Sequence, residues 1–228
     1  MKITLLILIF VAIAFICSYA SDYHNCDSYL CFNDNLLNEI CKEISGSGQC
    51  FEAIENYKSN YDNKYFSRKK DTLIVKLLNG KLLFFKDNND DLKIKNIKDF
   101  KSYYYVKYYK DTHFILLSIH YYETLDFILI NAFTGKTFKI WGEPVFSPDK
   151  KRFVTISWDL FRKMDDTGYQ IWKIKENNII LECEKKLSDW GPENASWINN
   201  STIKFKIKRF NIIEDKYYLI NYKNNKWQ

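Results

Sequence analysis

The sequence predicts a mainly β protein: an array of about four small antiparallel sheets behind a short disulfide-stapled helical segment. Three observations predict it. A strand–turn–strand pair recurs four times, over 72–87, 126–141, 169–183 and 217–227, turning near Asn79, Thr134, Glu176 and Asn224. Successive turns lie 55, 42 and 48 residues apart, a period at which single units cannot bury their own faces and must stack. From Asp71 onward β-branched and aromatic residues dominate, and alternation is plain in Ile203-Lys204-Phe205-Lys206-Ile207-Lys208. Finally, Cys26, Cys31, Cys41 and Cys50 fall within 25 residues of one another, upstream of all of this.

Residues 1–20 read as a secretory signal peptide. Lys2 supplies the positive start, Leu5 to Ile16 is an unbroken apolar run, and Ser18-Tyr19-Ala20 offers small residues for cleavage after Ala20. The run is too short for an ordinary spanning helix, and Cys17 follows bulky Phe15-Ile16, which disfavours lipid attachment. No later stretch has eighteen consecutive apolar residues. A secreted or periplasmic protein with no membrane span after cleavage is therefore expected. There a disulfide framework is the ordinary reading of Cys26, Cys31, Cys41 and Cys50, with three connectivities open. Their spacing does not match paired zinc-ligand motifs. Cys183, in phase with Ile179 and Leu181, reads as a buried free thiol.

About 208 residues remain after cleavage, enough for one substantial core. Aromatic residues at 18% with only seven Gly and three Pro exclude collagen-like and low-complexity chains. Residues 21–60 form the helical segment: Leu36, Leu37, Ile40, Cys41 and Ile44 recur at helical spacing behind Asn33 or Asp34 as cap, and Phe51, Ile54 and Tyr57 resume the pattern after Gly46-Ser47-Gly48. Ser59 to Lys70 reads as a connection to the β domain, 71–228. There, two strands precede each later hairpin: 100–109 and 113–119, then 144–146 and 152–157, then 197–198 and 202–208. The unit is thus four strands, a–b–c–d, the size of a propeller blade, and the array is propeller-like.

Phe146-Ser147-Pro148-Asp149-Lys150-Lys151-Arg152-Phe153-Val154, followed by Tyr169-Gln170-Ile171-Trp172-Lys173-Ile174, resembles a blade of the TolB-like or WD-repeat propellers. In those blades a Ser-Pro-Asp turn joins the inner strands. The likeness covers about forty residues, 144–184, and is degraded in the next unit. No Gly-His or Trp-Asp signature closes the blades, and 71–228 has room for four at most. The resemblance implies a binding scaffold and carries over no catalytic residue.

Motifs for chemistry are sparse. Asp166-Thr167-Gly168 spells an aspartic-protease triplet, but charged residues enter it and no second copy supplies the partner carboxylate, so it reads as a polar turn. His24, His113 and His120 make no metal-ligand spacing, and no cofactor fingerprint occurs. The run from Tyr103 to Lys110 interleaves lysine and tyrosine as single-strand nucleic-acid grooves do. Export and a mixed charge of 34 basic against 28 acidic groups favour a plain tyrosine-rich strand and no nucleic-acid partner. Asn194, Asn199 and Asn200 head Asn-x-Ser/Thr triplets.

The strongest functional expectation comes from where loops must emerge. In a–b–c–d units the b–c loops and d–a links share one end, which collects 120–124, 141–144, 157–168, 189–194 and 209–215. Acids there outnumber bases and stand among aromatic residues: Tyr122, Glu123, Trp141, Glu143, Trp158, Asp159, Asp165, Asp166 and Trp190. The opposite end collects lysines, Lys110, Lys136, Lys150, Lys151, Lys175, Lys223 and Lys226 among them. Rigid rings among like charges suit docking of a complementary protein. The expected function is an exported, non-enzymatic binding protein that takes a basic protein partner, as an inhibitor or immunity protein would. The alternative is an envelope saccharide or peptide hydrolase using paired carboxylates on the same end.

Overall fold

The computed structural model describes residues 35–44, 46–89, 96–159, 166–176, 178–209 and 216–228. The proposed signal peptide, Cys26 and Cys31 lie outside them. Among the described residues two short helices come first, α1 (Asn35–Cys41) and α2 (Ser47–Lys58), and a disulfide between Cys41 and Cys50 staples them. Leu37, Cys41, Cys50, Phe51 and Ile54 are buried, the apolar stripe expected from the helical spacing.

Four antiparallel sheets follow. Sheet 1 holds β1 (Phe66–Lys69), β2 (Thr72–Lys76) and β3 (Leu82–Lys86). Sheet 2 holds β4 (Ser102–Tyr109), β5 (Phe114–His120), β6 (Leu125–Asn131) and β7 (Thr137–Ile140). Sheet 3 holds β8 (Val145–Phe146), β9 (Arg152–Ser157), β10 (Gly168–Lys175) and β11 (Asn178–Lys186). Sheet 4 holds β12 (Gly191–Asn199), β13 (Thr202–Lys208), β14 (Lys216–Lys223) and β15 (Lys226–Trp227). Sheets 2 to 4 are four-stranded meanders in sequence order, the a–b–c–d unit expected from the repeat.

Three details depart from the sequence reading. Residues 66–69 form β1, where a connection is expected; only Phe66 is apolar, and the strand holds because Arg68 finds carboxylate partners. Strand β12 reaches back to Gly191, absorbing residues 191–194 of the 189–194 segment read as loop. Pro192, which has no N–H to give, is tolerated beside a register shift between Pro192 and Asn194. A second bulge pairs Ile171 with Cys183 but Trp172 with Leu181. The extra residue breaks the alternation: Leu181 is exposed, while Cys183 is a free, half-buried thiol against the sheet 3–sheet 4 core.

Because strand side chains alternate between faces, each interior sheet has a face for each neighbour. Phe66, Leu73, Val75 and Leu77 of sheet 1 and the segment after it pack on Tyr105, Ile115, Leu117 and Ile130 of sheet 2. Val154, Tyr169 and Ile171 of sheet 3 pack on Ala195, Ile203, Phe205 and Ile220 of sheet 4. Phe114, Leu116 and Leu129, on the other face of sheet 2, are also fully buried, as is Phe153 of sheet 3. Rings run across that seam: Tyr109 meets Phe146 at 4.9 Å and Phe146 meets Phe153 at 5.6 Å between centroids. Each fully buried side chain of this kind contributes about 1.5–3 kcal/mol relative to exposure.

Candidate functional site

Strand directions place the 121–124 turn, the links at 141–144 and 187–190 and the described ends of the β9–β10 loop at one end. Among the expected contact residues, Tyr122 and Glu123 stand on the 121–124 turn and are exposed, Tyr122 at 61%. Its ring leans on Phe100, edge to face, at 6.5 Å.

The tryptophans differ from it. Trp141 is half-buried, and its backbone N–H donates to Oε1 of buried Gln170 at 3.2 Å. Trp158 is half-buried too, with the Lys208 ammonium 4.6 Å from its ring and its indole nitrogen sealed from solvent without a partner among the described residues. A Cβ on Gly191 would sit 2.1 Å from Trp158 Cδ1, so the ring fits only because position 191 lacks a side chain. Trp190 packs on the sheet 3–sheet 4 core and meets Tyr218 at 5.3 Å. The Trp158 and Trp190 rings are thus seated in the ends of the sheets and stay partly exposed.

The acids divide by partner. Asp159 is 9% exposed, and its backbone N–H donates to the Thr167 hydroxyl at 2.8 Å. Asp166 is exposed and pairs with Lys186 at 2.8 Å; the Asp166 carboxylate raises the pKa of that ammonium. Asp165 lies outside the described residues. Glu143 turns into the seam between sheets 2 and 3, where it accepts from the Tyr109 hydroxyl at 3.2 Å. Asp189 and Glu123 are exposed, and Glu193 is held by Lys206 and Lys208 at 3.2 and 3.4 Å. The Asp-Thr-Gly triplet closes the loop structurally. Gly168 has φ +146°, and a Cβ there would meet Lys185 O at 1.9 Å.

Two polar groupings escaped the sequence reading. Arg68 of β1 joins Glu55 of α2 and Asp87 after β3, reaching Asp87 at 2.7 Å and the second Glu55 oxygen at 3.1 Å, and it also donates to Tyr103 O. Glu55 and Asp87 in turn accept from Tyr105 N and Tyr103 N, both at 2.8 Å, covering the free edge of β4. Burial pushes the Asp87 carboxyl above its usual range despite the amide and the guanidinium. The second grouping is His120, 5% exposed between Phe51 of α2 at 4.8 Å and Tyr104 at 5.1 Å. Desolvation lowers its pKa to about 4, which makes it a neutral imidazole near pH 7. Its only sequence signal is its even phase with Phe114, Leu116 and Ser118.

Among the described residues no group of three or more His, Cys, Asp or Glu side chains could hold a metal ion. No helix among them is long and apolar enough to cross a membrane. No protein-family model matches the chain, and no curated protein matches it either.

Proposed function

We propose that this chain is an exported, non-enzymatic binding protein with a propeller-like array of sheets, which docks a basic protein partner at the end where Tyr122, Trp141, Trp158 and Trp190 emerge. The observation that carries this reading is the seating of the tryptophans. The Trp158 ring against Gly191 and the Trp190 ring on the sheet 3–sheet 4 core lose little freedom when a partner covers them, which favours affinity through preorganisation. Exposed Glu123 and Asp189 supply the steering charge; Asp166, paired with Lys186, buried Asp159 and inward-facing Glu143 do not. An inhibitor or immunity protein would work this way. The Cys41–Cys50 disulfide suits an oxidising compartment. The hydrolase reading needs a water-accessible carboxylate pair. At this end Asp159 is buried and Asp166 is engaged by Lys186, so it takes second place.

The test is affinity capture from a secreted or envelope extract, with the wild type beside a Tyr122→Ala, Glu123→Lys, Asp189→Lys variant, at low and at high salt. We expect a basic protein retained by the wild type at low salt, released by salt and lost by the variant. Equal retention by both proteins would remove this end as the docking surface.

A further inference from the structure

Sheet 1 ends on a strand with a free edge. Strand β3 pairs with β2 through Thr72–Lys86, Ile74–Phe84 and Lys76–Leu82 among other pairs, and no strand among the described residues lies on its far side. The spare backbone groups follow from β2. The Lys76 amide donates to Tyr65 O, away from β3, so Lys76 and Leu82 exchange no hydrogen bonds. Antiparallel pairs alternate in this respect, so Ile74–Phe84 and Thr72–Lys86 exchange none either. The N–H and C=O groups of Leu82, Phe84 and Lys86 therefore point out of the sheet along its free edge.

The side chains leave this edge unprotected. Phe84 is 64% exposed and Leu82 47%. Within β3 the one charge, Lys86, stands at the end of the strand, 3.7 Å from Asp71. The other sheets guard their last strands against pairing by shortness, charge or irregularity. Strand β7 is four residues long with Lys139 inside it. Strand β11 carries Glu182, Glu184, Lys185 and Lys186, and its pairing with β10 is bulged. In sheet 4, Asn221 of β14 exchanges backbone bonds with Gln228, and Lys204 sits 3.7 Å from the Tyr217 ring. Strand β3 reads Leu-Leu-Phe-Phe-Lys, strongly β-forming and without such a guard.

We propose that two copies of this chain associate through β3, edge to edge, about a two-fold axis at Phe84. The two three-stranded sheets become one continuous antiparallel sheet. The symmetry sets Phe84 opposite its own counterpart, Leu82 opposite Lys86 and Leu83 opposite Phe85. This register pairs every outward N–H and C=O of Leu82, Phe84 and Lys86, and it brings two exposed rings together across the axis. Like charges stay apart. The two Lys86 residues lie about 13 Å from each other along the strands, beyond the screening length of about 8 Å at physiological salt. Contact through a single five-residue strand falls short of the about 1,200 Å² of a standard stable interface, so the dimer is weak and depends on concentration. The contact uses none of the residues of the proposed docking end, so the two stand or fall independently.

Sedimentation equilibrium of the full chain over a range of concentrations tests it. We expect the mean mass to climb from monomer toward dimer as concentration rises. Phe84→Lys places two ammonium groups on the axis, and Phe84→Pro deletes an outward N–H that β2 does not use. Each is expected to weaken dimerisation about tenfold or more. Mild oxidation should cross-link Phe84→Cys between copies, because a hydrogen-bonded antiparallel pair holds its Cα atoms about 5.5 Å apart, within disulfide range. Leu82→Cys, whose counterpart lies several residues away, should not cross-link. A monomer at every concentration, a dimer indifferent to both Phe84→Lys and Phe84→Pro, or equal cross-linking of the two cysteine variants would overturn the assignment.

Discussion

A buried imidazole ties residue chemistry to pH. His120 folds neutral with a pKa of about 4, against an ordinary 6.5. Below the ordinary value the unfolded chain takes up a proton that the native site refuses, so stability falls as pH drops from about 6.5 toward 4. The full shift corresponds to about 3 kcal/mol, lost once the pH is below both values. We expect urea midpoints of the wild type to fall across pH 6.5–4.5 more steeply than those of His120→Gln. Parallel profiles would show that His120 is not held neutral. On the same strand the Ser118 hydroxyl and His120 Nε2 are both buried without a hydrogen-bond partner among the described residues. His120 packs under α2 against Phe51, and sequence alternation marks its strand face without revealing what covers it.

At the scale of elements, the helical segment is bound to the sheets by charge as much as by apolar contact. Helix α2 gives Phe51 to the sheet 2 face and Glu55 to Arg68 and the β4 edge. Sheet 1 has three strands where the others have four, and the element preceding β1 in the chain is this helix. Its Glu55, with Asp87, supplies acceptors to β4 amides that a neighbouring strand would otherwise meet. Removing one partner of such a network leaves the others buried and uncompensated. We expect Arg68→Ala to cost about 3–5 kcal/mol in chemical denaturation. Arg68→Lys should recover only part of it, because an ammonium cannot reproduce the guanidinium fork. A loss below 1 kcal/mol for Arg68→Ala would show the network to be dispensable.

For the whole molecule, stability is shared between neighbouring sheets. Each core cluster draws from two sheets, so no sheet buries its own face, as in repeat architectures generally. Truncation after Lys186 removes sheet 4 and uncovers Val154, Tyr169 and Ile171. We expect that truncated chain to lose its cooperative thermal transition and to aggregate. A soluble product with an unchanged melting temperature would mean that the sheets fold independently.

The four-sheet meander was legible from chemistry local to the chain. Strand alternation, the hairpin turns and the recurring spacing of about fifty residues are nearest-neighbour properties, and so is the helical stripe around Cys41 and Cys50. What only the tertiary structure decided is which side chains remain available. Asp159 and Glu143 read as surface acids, yet folding buries one and turns the other onto Tyr109. Ser67-Arg68-Lys69 reads as loop, yet a carboxylate from α2 and another from beyond β3 make Arg68 the centre of a buried network. Burial, ion pairing and convergence depend on groups distant in sequence, and no local pattern encodes their meeting.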